Sequence, residues 1–71
     1  MPKTDVKVKL VGEDGNAFSI LGRVSAAVRK GGYGDLVEEF TKEATSGDYN
    51  HLLGTVMDYV KEDYYEEEEW E

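Results

Sequence analysis

The side chains in this sequence that could act as a general base or a metal ligand are mainly its carboxylates and one histidine, His51. The chain has no cysteine, which excludes disulfide bonds and, with only one histidine, the usual zinc and iron–sulfur sites. A serine–histidine–acid set would have to use His51, and a catalytic base needs an orienting group and a reactive neighbour within reach. No motif supplies them, so we expect a surface histidine, no enzymatic activity, no metal site and no cofactor.

Acidic charge is concentrated at one end of the chain. The 71 residues hold 16 acidic and 8 basic side chains, which gives a net charge of −8. Residues 1–30 carry a net charge of +3, whereas residues 62–71 hold seven acidic residues and no basic one. Such asymmetry bears on solubility and on electrostatic partners rather than on the fold.

The acidic segment, residues 62–71, also contains aromatic rings. Carboxylates bind Lys and Arg side chains, and rings supply hot-spot contacts, so this composition indicates a surface that binds a basic partner protein. A solvated tail without a partner, or a short strand, fits the same residues. Under the binding hypothesis the predicted contact residues are Tyr64, Tyr65, Glu66, Glu67, Glu68, Glu69 and Trp70.

The length allows one small domain, which we assign to residues 1–61, followed by the acidic segment. Chains of about 60 residues bury only about 60% of the surface that they expose when unfolded, so the core must be compact. The longest apolar runs are two or three residues, which predicts no membrane span and no signal peptide. We therefore expect a cytoplasmic protein.

Residues 5–11 alternate apolar and polar side chains with a period of two, which is typical of a half-buried strand. Residues 12–15 follow as a turn. A strand needs a pairing partner, so this one pairs either with a short C-terminal strand near Tyr64 and Tyr65 or with its own copy in a homodimer. Its inner face holds Val6, Val8 and Leu10, and its outer face holds Lys7 and Lys9.

Apolar residues at helical spacing predict a first helix over residues 17–30. Asn16 is its expected N-cap, because a short polar side chain can accept hydrogen bonds from the first backbone N–H groups. Gly31 and Gly32 supply the stop, and the basic residues of the last turn favour the helix dipole. These signals agree with one another and fix both ends of the helix.

The back of the first helix carries a candidate docking face. Gly22 stands there, away from the apolar stripe, although an interior glycine costs about 1 kcal/mol relative to alanine. Either the cost is tolerated at an exposed position, or small side chains on this face let another segment approach closely. The residues of the candidate face are Ser19, Gly22 and Ala26.

Two further helices follow, each with a predicted N-cap. Asp35 is the expected cap of the second helix, with Glu38 completing a capping box. Asp48 or Ser46 is the expected cap of the third. The two helices span residues 36–46 and 49–61, with inward-facing Leu36, Val37, Phe40 and Ala44 in the second and Tyr49, Leu52, Leu53, Val56, Met57 and Val60 in the third. A strand and three amphipathic helices predict an α+β fold that is mainly α.

The predicted elements are, in order, a short strand with Lys7 and Lys9, a helix that ends at Gly32 and a second helix that starts at Asp35. This order resembles that of ribbon-helix-helix DNA-binding repressors and antitoxins. In that family two strands pair across a dimer, and their outward side chains read the major groove. The resemblance implies that Lys7 and Lys9 contact DNA. It covers about residues 5–46, and Asp35 stands where the family usually has a small hydroxyl residue near phosphate.

Residues 12–24 (GEDGNAFSILGRV) and 43–53 (EATSGDYNHLL) resemble segments of small uncharacterised proteins of bacteriophages and bacterial mobile elements. This similarity implies a bacterial or phage-infected cytoplasm and no particular activity. Two functional hypotheses follow. The first is a small acidic interaction protein that binds and modulates a partner protein with a basic surface. The second is a ribbon-helix-helix-like dimer that regulates through DNA binding or acts as an antitoxin.

Overall fold

The computed structural model describes residues 2–10 and 15–62. Within them the fold is α+β and mainly α, as predicted, with three helices and a parallel sheet of two short strands. None of the helices in these ranges has the length and apolar character needed to cross a membrane. The elements are β1 (Lys7–Val8), α1 (Ala17–Lys30), a 3-10 turn (Gly34–Leu36), α2 (Val37–Ala44), α3 (Tyr49–Tyr59) and β2 (Lys61–Glu62).

Helix α1 has the predicted bounds because both of its end signals operate. The side-chain oxygen of Asn16 accepts hydrogen bonds from the backbone N–H of Phe18 at 2.8 Å and of Ser19 at 3.4 Å. At the other end, Gly32 has a φ of +96°, a left-handed conformation that L side chains rarely adopt. The chain therefore turns sharply after Lys30, and the predicted N-cap and stop are both confirmed.

The core is formed mainly by one apolar face from each helix. Val24, Val28 and Phe40 have no exposed surface, and the ring of Tyr59 meets the ring of Phe40 edge to face, with centroids 5.3 Å apart. Full burial of such an aliphatic or aromatic side chain stabilises the fold by about 1.5–3 kcal/mol. The buried apolar residues are Val8, Ile20, Val24, Val28, Phe40, Ala44, Leu52, Val56, Tyr59 and Val60.

Helix α2 starts differently from the prediction. Asp35 lies inside the 3-10 turn, and the residue that precedes α2 is Leu36, which makes no side-chain capping bond. The capping role predicted for Asp35 is therefore wrong. An N-cap residue has extended backbone, whereas the 3-10 turn already carries helical backbone into α2. The helix also ends at Ala44, two residues before the predicted end at Ser46.

Helix α3 is capped as predicted, but its buried face is rotated. The carboxylate of Asp48 accepts a hydrogen bond from the backbone N–H of His51 at 2.9 Å. Tyr49 and Met57, which were expected to face inward, are 46% and 51% exposed. Thr55 and Tyr59 are buried instead, together with the expected Leu52, Val56 and Val60. The helix ends at Tyr59, short of the predicted residue 61, because the next residues form β2.

The N-terminal segment runs beside the end of α3 and continues into the sheet. The backbone N–H of Lys3 and of Thr4 donate to the carbonyls of Asp58 and Tyr59 at 2.9 and 3.1 Å, and Lys61 donates to Val6 at 2.8 Å. Strand β1 is thus shorter than the predicted span 5–11 and pairs in parallel with β2 of the same chain. The three helices form the connection that a parallel pair requires. The described residues contain a C-terminal strand at Lys61–Glu62, and the predicted position near Tyr64 and Tyr65 lies outside the described residues.

Candidate functional site

Three lysines lie on the solvent face of the sheet and form what we name the lysine face. Lys7 and Lys9 are exposed, whereas Val8 between them is 3% exposed, so the predicted alternation is confirmed. Lys61 is also exposed and is the pairing partner of Lys7, which places these two side chains next to each other on one face. Like charges directly opposite one another destabilise a sheet. The lysine face therefore carries a local repulsion that an anionic group would relieve.

The carboxylates of the described residues do not neutralise the lysine face. Asp5 precedes Lys7 on the exposed side of the same segment, but its Oδ1 accepts a hydrogen bond from the phenol of Tyr33 at 3.1 Å. That hydrogen bond raises the pKa of Tyr33 above its ordinary value. Within residues 2–10 and 15–62, no carboxylate forms an ion pair with the three lysines.

A polar network connects the N-terminal segment to α2 and α3 on another side of the molecule. Oε2 of Glu39 accepts a hydrogen bond from the phenol of Tyr59 at 2.5 Å and from the ammonium of Lys3 at 3.0 Å. The ammonium also lies 5.1 Å from the centroid of the Tyr59 ring, within the range of a cation–π contact. An open groove of about 780 Å³ contains these groups.

The titration of this network favours a structural role over acid–base chemistry. Burial and then the hydrogen bond to Glu39 raise the pKa of Tyr59 to about 12. The hydrogen bonds from Tyr59 and Lys3 lower the pKa of Glu39. The phenol therefore stays protonated at neutral pH and the carboxylate stays charged, and each already has its hydrogen-bond partner. A general base or acid works best with a pKa near the operating pH, which neither group has.

His51 joins the end of α2 to the start of α3. Its Nε2 lies 3.0 Å from the carbonyl oxygen of Glu43, 3.1 Å from the Glu43 carboxylate and 3.1 Å from Oγ of Ser46. A carbonyl oxygen only accepts, so the bond to it requires a proton on Nε2. The hydroxyl of Ser46 donates to that same carbonyl at 2.7 Å. The imidazole also covers Gly47, where a Cβ would lie 2.8 Å from the ring.

The His51 cluster does not have the geometry of an activated serine. In a serine–histidine–acid triad the serine and the acid contact opposite ring nitrogens, so that one nitrogen takes the proton while the other is oriented. Here both Ser46 and Glu43 approach Nε2, which already holds the donated proton. The contacts are those of a turn that fixes α2 against α3.

An apolar groove opens between the start of α1 and the turn before α3. It has a volume of about 260 Å³ and is lined mainly by apolar atoms from Ala17, Leu21 and Leu52, with Phe18 and Tyr49 at its edge. Phe18 is 83% exposed, and the phenol of Tyr49 donates to the carbonyl of Gly15 at 2.6 Å. The helical pattern did not indicate this groove, because it placed Tyr49 in the core. The available signal was Phe18 itself, a large apolar residue beside the stripe of α1.

The back of α1 is partly exposed. Gly22 and Ala26 are exposed and Ser19 is half-buried. A Cβ at Gly22 would meet no atom within 4 Å, and the same holds for Gly54 in α3. The two interior glycines therefore do not serve close packing between the described elements, and docking on Ser19, Gly22 and Ala26 stays a prediction.

The residues predicted to bind a basic partner lie outside the described residues. The structure does bring the predicted DNA-contacting residues Lys7 and Lys9 onto a common surface. Among the described residues no group of three His, Asp or Glu side chains is arranged to hold a metal ion. The missed member of the lysine face is Lys61, which the helical pattern assigned to α3. The acidic segment that begins at Glu62 is therefore attached directly to the lysine face.

Comparisons with protein-family models, curated proteins and solved structures gave no match to this chain.

Proposed function

We propose that this protein is a small non-enzymatic interaction protein that binds and modulates a partner with a basic surface through its acidic segment, residues 62–71. The proposal includes a cytoplasmic setting in a bacterium or a phage-infected host. The observation that carries it is the separation of charge along the chain. After Lys61 there are seven acidic residues and no basic one, interleaved with three aromatic rings.

The described part of the chain supports this function by supplying a fixed base for the segment. Lys61 is held by the backbone hydrogen bond to Val6, and Val60 is 1% exposed in the core. The acidic segment therefore begins at an anchored point of the domain. Carboxylates steer a basic partner into encounter, and the rings of Tyr64, Tyr65 and Trp70 supply apolar contact area once the surfaces meet. Occupation of a basic groove by such a segment would block other anions from it, which is the proposed modulation.

The test compares the full chain with three variants in affinity capture from a bacterial lysate, followed by titration of each captured protein. One variant lacks residues 63–71, one has Tyr64, Tyr65 and Trp70 replaced by Ser, and one has Glu66, Glu67, Glu68 and Glu69 replaced by Gln. We expect the full chain to retain a protein with a basic surface that all three variants lose. Poly-L-lysine is the control for unspecific attraction, since it should still bind the serine variant. Retention of the same protein by the shortened chain would contradict the proposal.

A DNA-binding dimer of the ribbon-helix-helix type is the second candidate, favoured by the exposed lysines on β1. The described sheet pairs β1 with β2 of the same chain, whereas that family pairs two strands across a dimer. The hypothesis predicts a homodimer in light scattering and affinity for duplex DNA that falls steeply with salt concentration. A monomer without salt-dependent DNA binding would remove it.

A further inference from the structure

In the described part of the chain the lysine face has no ion-pair partner, and an anionic segment is attached to its edge. Lys7 and Lys61 are exposed partners in the parallel register, and Lys9 follows on the same side. Residues 63–71 contain six acidic side chains and no basic one. We propose that these residues lie across Lys7, Lys9 and Lys61 in the free protein, so that the acidic segment covers a surface of its own chain until a partner displaces it. The displacement, though not the covering itself, rests on the proposed function.

The direction of the strands favours this occupant. Because β2 runs parallel to β1, the chain leaves Glu62 in the direction in which β1 continues from Val8 to Lys9. The described register ends with Val8 beside Glu62, so the acidic segment starts from a paired residue one position before Lys9. The nine residues 63–71 can span at most about 30 Å when extended. This length is sufficient to cross the lysine face, because the segment is attached at Glu62, next to Lys61.

Covalent attachment makes the intramolecular contact efficient. A short linker gives an effective concentration on the order of millimolar, which free anions in dilute solution do not match. The contact also relieves the repulsion between the paired ammonium groups of Lys7 and Lys61. A nucleic acid is the competing occupant of such a face, and it would have to overcome repulsion from the six carboxylates next to the site. Charge complementarity therefore favours the chain's own segment.

The test uses Trp70, the single tryptophan of the chain, as a fluorescent probe of the acidic segment in the full-length protein. We expect its emission to be blue-shifted and its anisotropy to be high at low salt. Both should move toward the values of a free peptide of residues 63–71 at 1 M salt, where the Debye length falls to about 3 Å. The same change should occur at low salt in the triple variant Lys7→Gln, Lys9→Gln, Lys61→Gln.

The matched control is Arg29→Gln, Lys30→Gln, Lys42→Gln, which changes the net charge equally at exposed positions outside the sheet. We expect this control to keep the signal of the unmodified protein, and circular dichroism checks that both variants keep their helices. Carbodiimide cross-linking mapped by mass spectrometry gives a second readout, with cross-links from the acidic segment enriched at Lys7, Lys9 and Lys61. Equal Trp70 signals in both triple variants, or cross-links spread evenly over all lysines, would overturn the proposal. Binding of a 20-base-pair duplex by the full chain that is lost in the sheet-lysine variant would assign the face to nucleic acid and would also overturn it.

These results are separable from those for the proposed function, because the fluorescence experiment needs no partner. A lysine-dependent Trp70 signal without capture of a basic protein would leave the covered face standing and contradict the binding function. Capture that depends on residues 63–71, together with a Trp70 signal that is the same in both triple variants, would support the binding function and contradict the covered face. If both hold, the sheet-lysine variant should bind the captured partner more tightly than the unmodified chain, since the competing surface has been removed.

Discussion

The phenol of Tyr59 donates a 2.5 Å hydrogen bond to Oε2 of Glu39, and this contact joins the last residue of α3 to α2. The same Tyr59 packs edge to face against Phe40 in the core, and its backbone carbonyl accepts from the backbone N–H and the hydroxyl of Thr4. One residue thus connects two helices and the N-terminal segment. Its ring and its hydroxyl make separable contributions, and two substitutions distinguish them.

Tyr59→Ala removes a ring that is 4% exposed and should lower the free energy of unfolding by about 3–5 kcal/mol, the usual cost of removing a buried aromatic side chain. Tyr59→Phe keeps the ring against Phe40 and loses only the hydrogen bond, so it should cost much less. Urea denaturation followed by circular dichroism measures both. Equal losses for the two variants would show that the hydrogen bond, rather than the buried ring, carries the stability of this region.

The raised pKa of Tyr59 predicts loss of stability in alkali. The folded state holds the phenol proton up to a pKa of about 12, above the ordinary value of 10.0, so its contribution is complete below pH 10 and is lost as the pH rises through 12. We expect the free energy of unfolding to fall over that range and to fall less in Tyr59→Phe. Tyr49→Phe is the control, because the Tyr49 phenol donates to the backbone carbonyl of Gly15 rather than to a carboxylate. An unchanged alkaline slope in Tyr59→Phe would contradict the prediction.

The two aspartates predicted as N-caps should respond differently to removal. Asp48 accepts the backbone N–H of His51, and Asp48→Ala should cost about 1 kcal/mol, the usual value of such a cap. Asp35 lies in the 3-10 turn and makes no capping bond to α2, so Asp35→Ala should change the stability by less than about 0.5 kcal/mol, as for other surface substitutions. Thermal or urea denaturation compares them. A larger loss for Asp35→Ala would restore the sequence-based interpretation.

Local sequence signals predict the parts of this fold that depend on local contacts. Helix α1 has the expected ends because Asn16 and Gly32 act on their own neighbours in the chain. The buried face of α3 depends on what packs against it, and contact with Phe40 and the N-terminal segment draws Tyr59 inward while Met57 faces solvent.

Prediction of the candidate site from the sequence is limited in the same way, because part of the sheet depends on non-local pairing. Alternation places Lys7 and Lys9 on an exposed face correctly, since each strand has a period of two. Lys61 fits the helical spacing of α3 equally well, and only its pairing with Lys7, more than fifty residues away in sequence, makes it a strand residue. Non-local pairing of this kind leaves no signal in a short segment.

The apolar groove should tolerate loss of its edge residue. Phe18 is 83% exposed, so Phe18→Ser should change the free energy of unfolding by less than about 0.5 kcal/mol. Leu52→Ala, at the buried floor of the same groove, should cost about 2–5 kcal/mol. Urea denaturation of both variants measures the contrast. A large loss in Phe18→Ser would mean that the ring is covered in solution by something other than the described residues.

The interior glycines of α1 and α3 give a paired test of the candidate docking face. A Cβ at Gly22 or Gly54 meets no atom within 4 Å, so Gly22→Ala and Gly54→Ala should each stabilise the protein by about 1 kcal/mol through helix propensity. If Ser19, Gly22 and Ala26 accept a close partner, Gly22→Leu should weaken self-association or partner binding, whereas Gly54→Leu should not. Light scattering and the capture experiment measure these outcomes. Equal behaviour of the two leucine variants would show that the back of α1 is an ordinary exposed helix surface, because a bulky side chain within a contact site would hinder the partner.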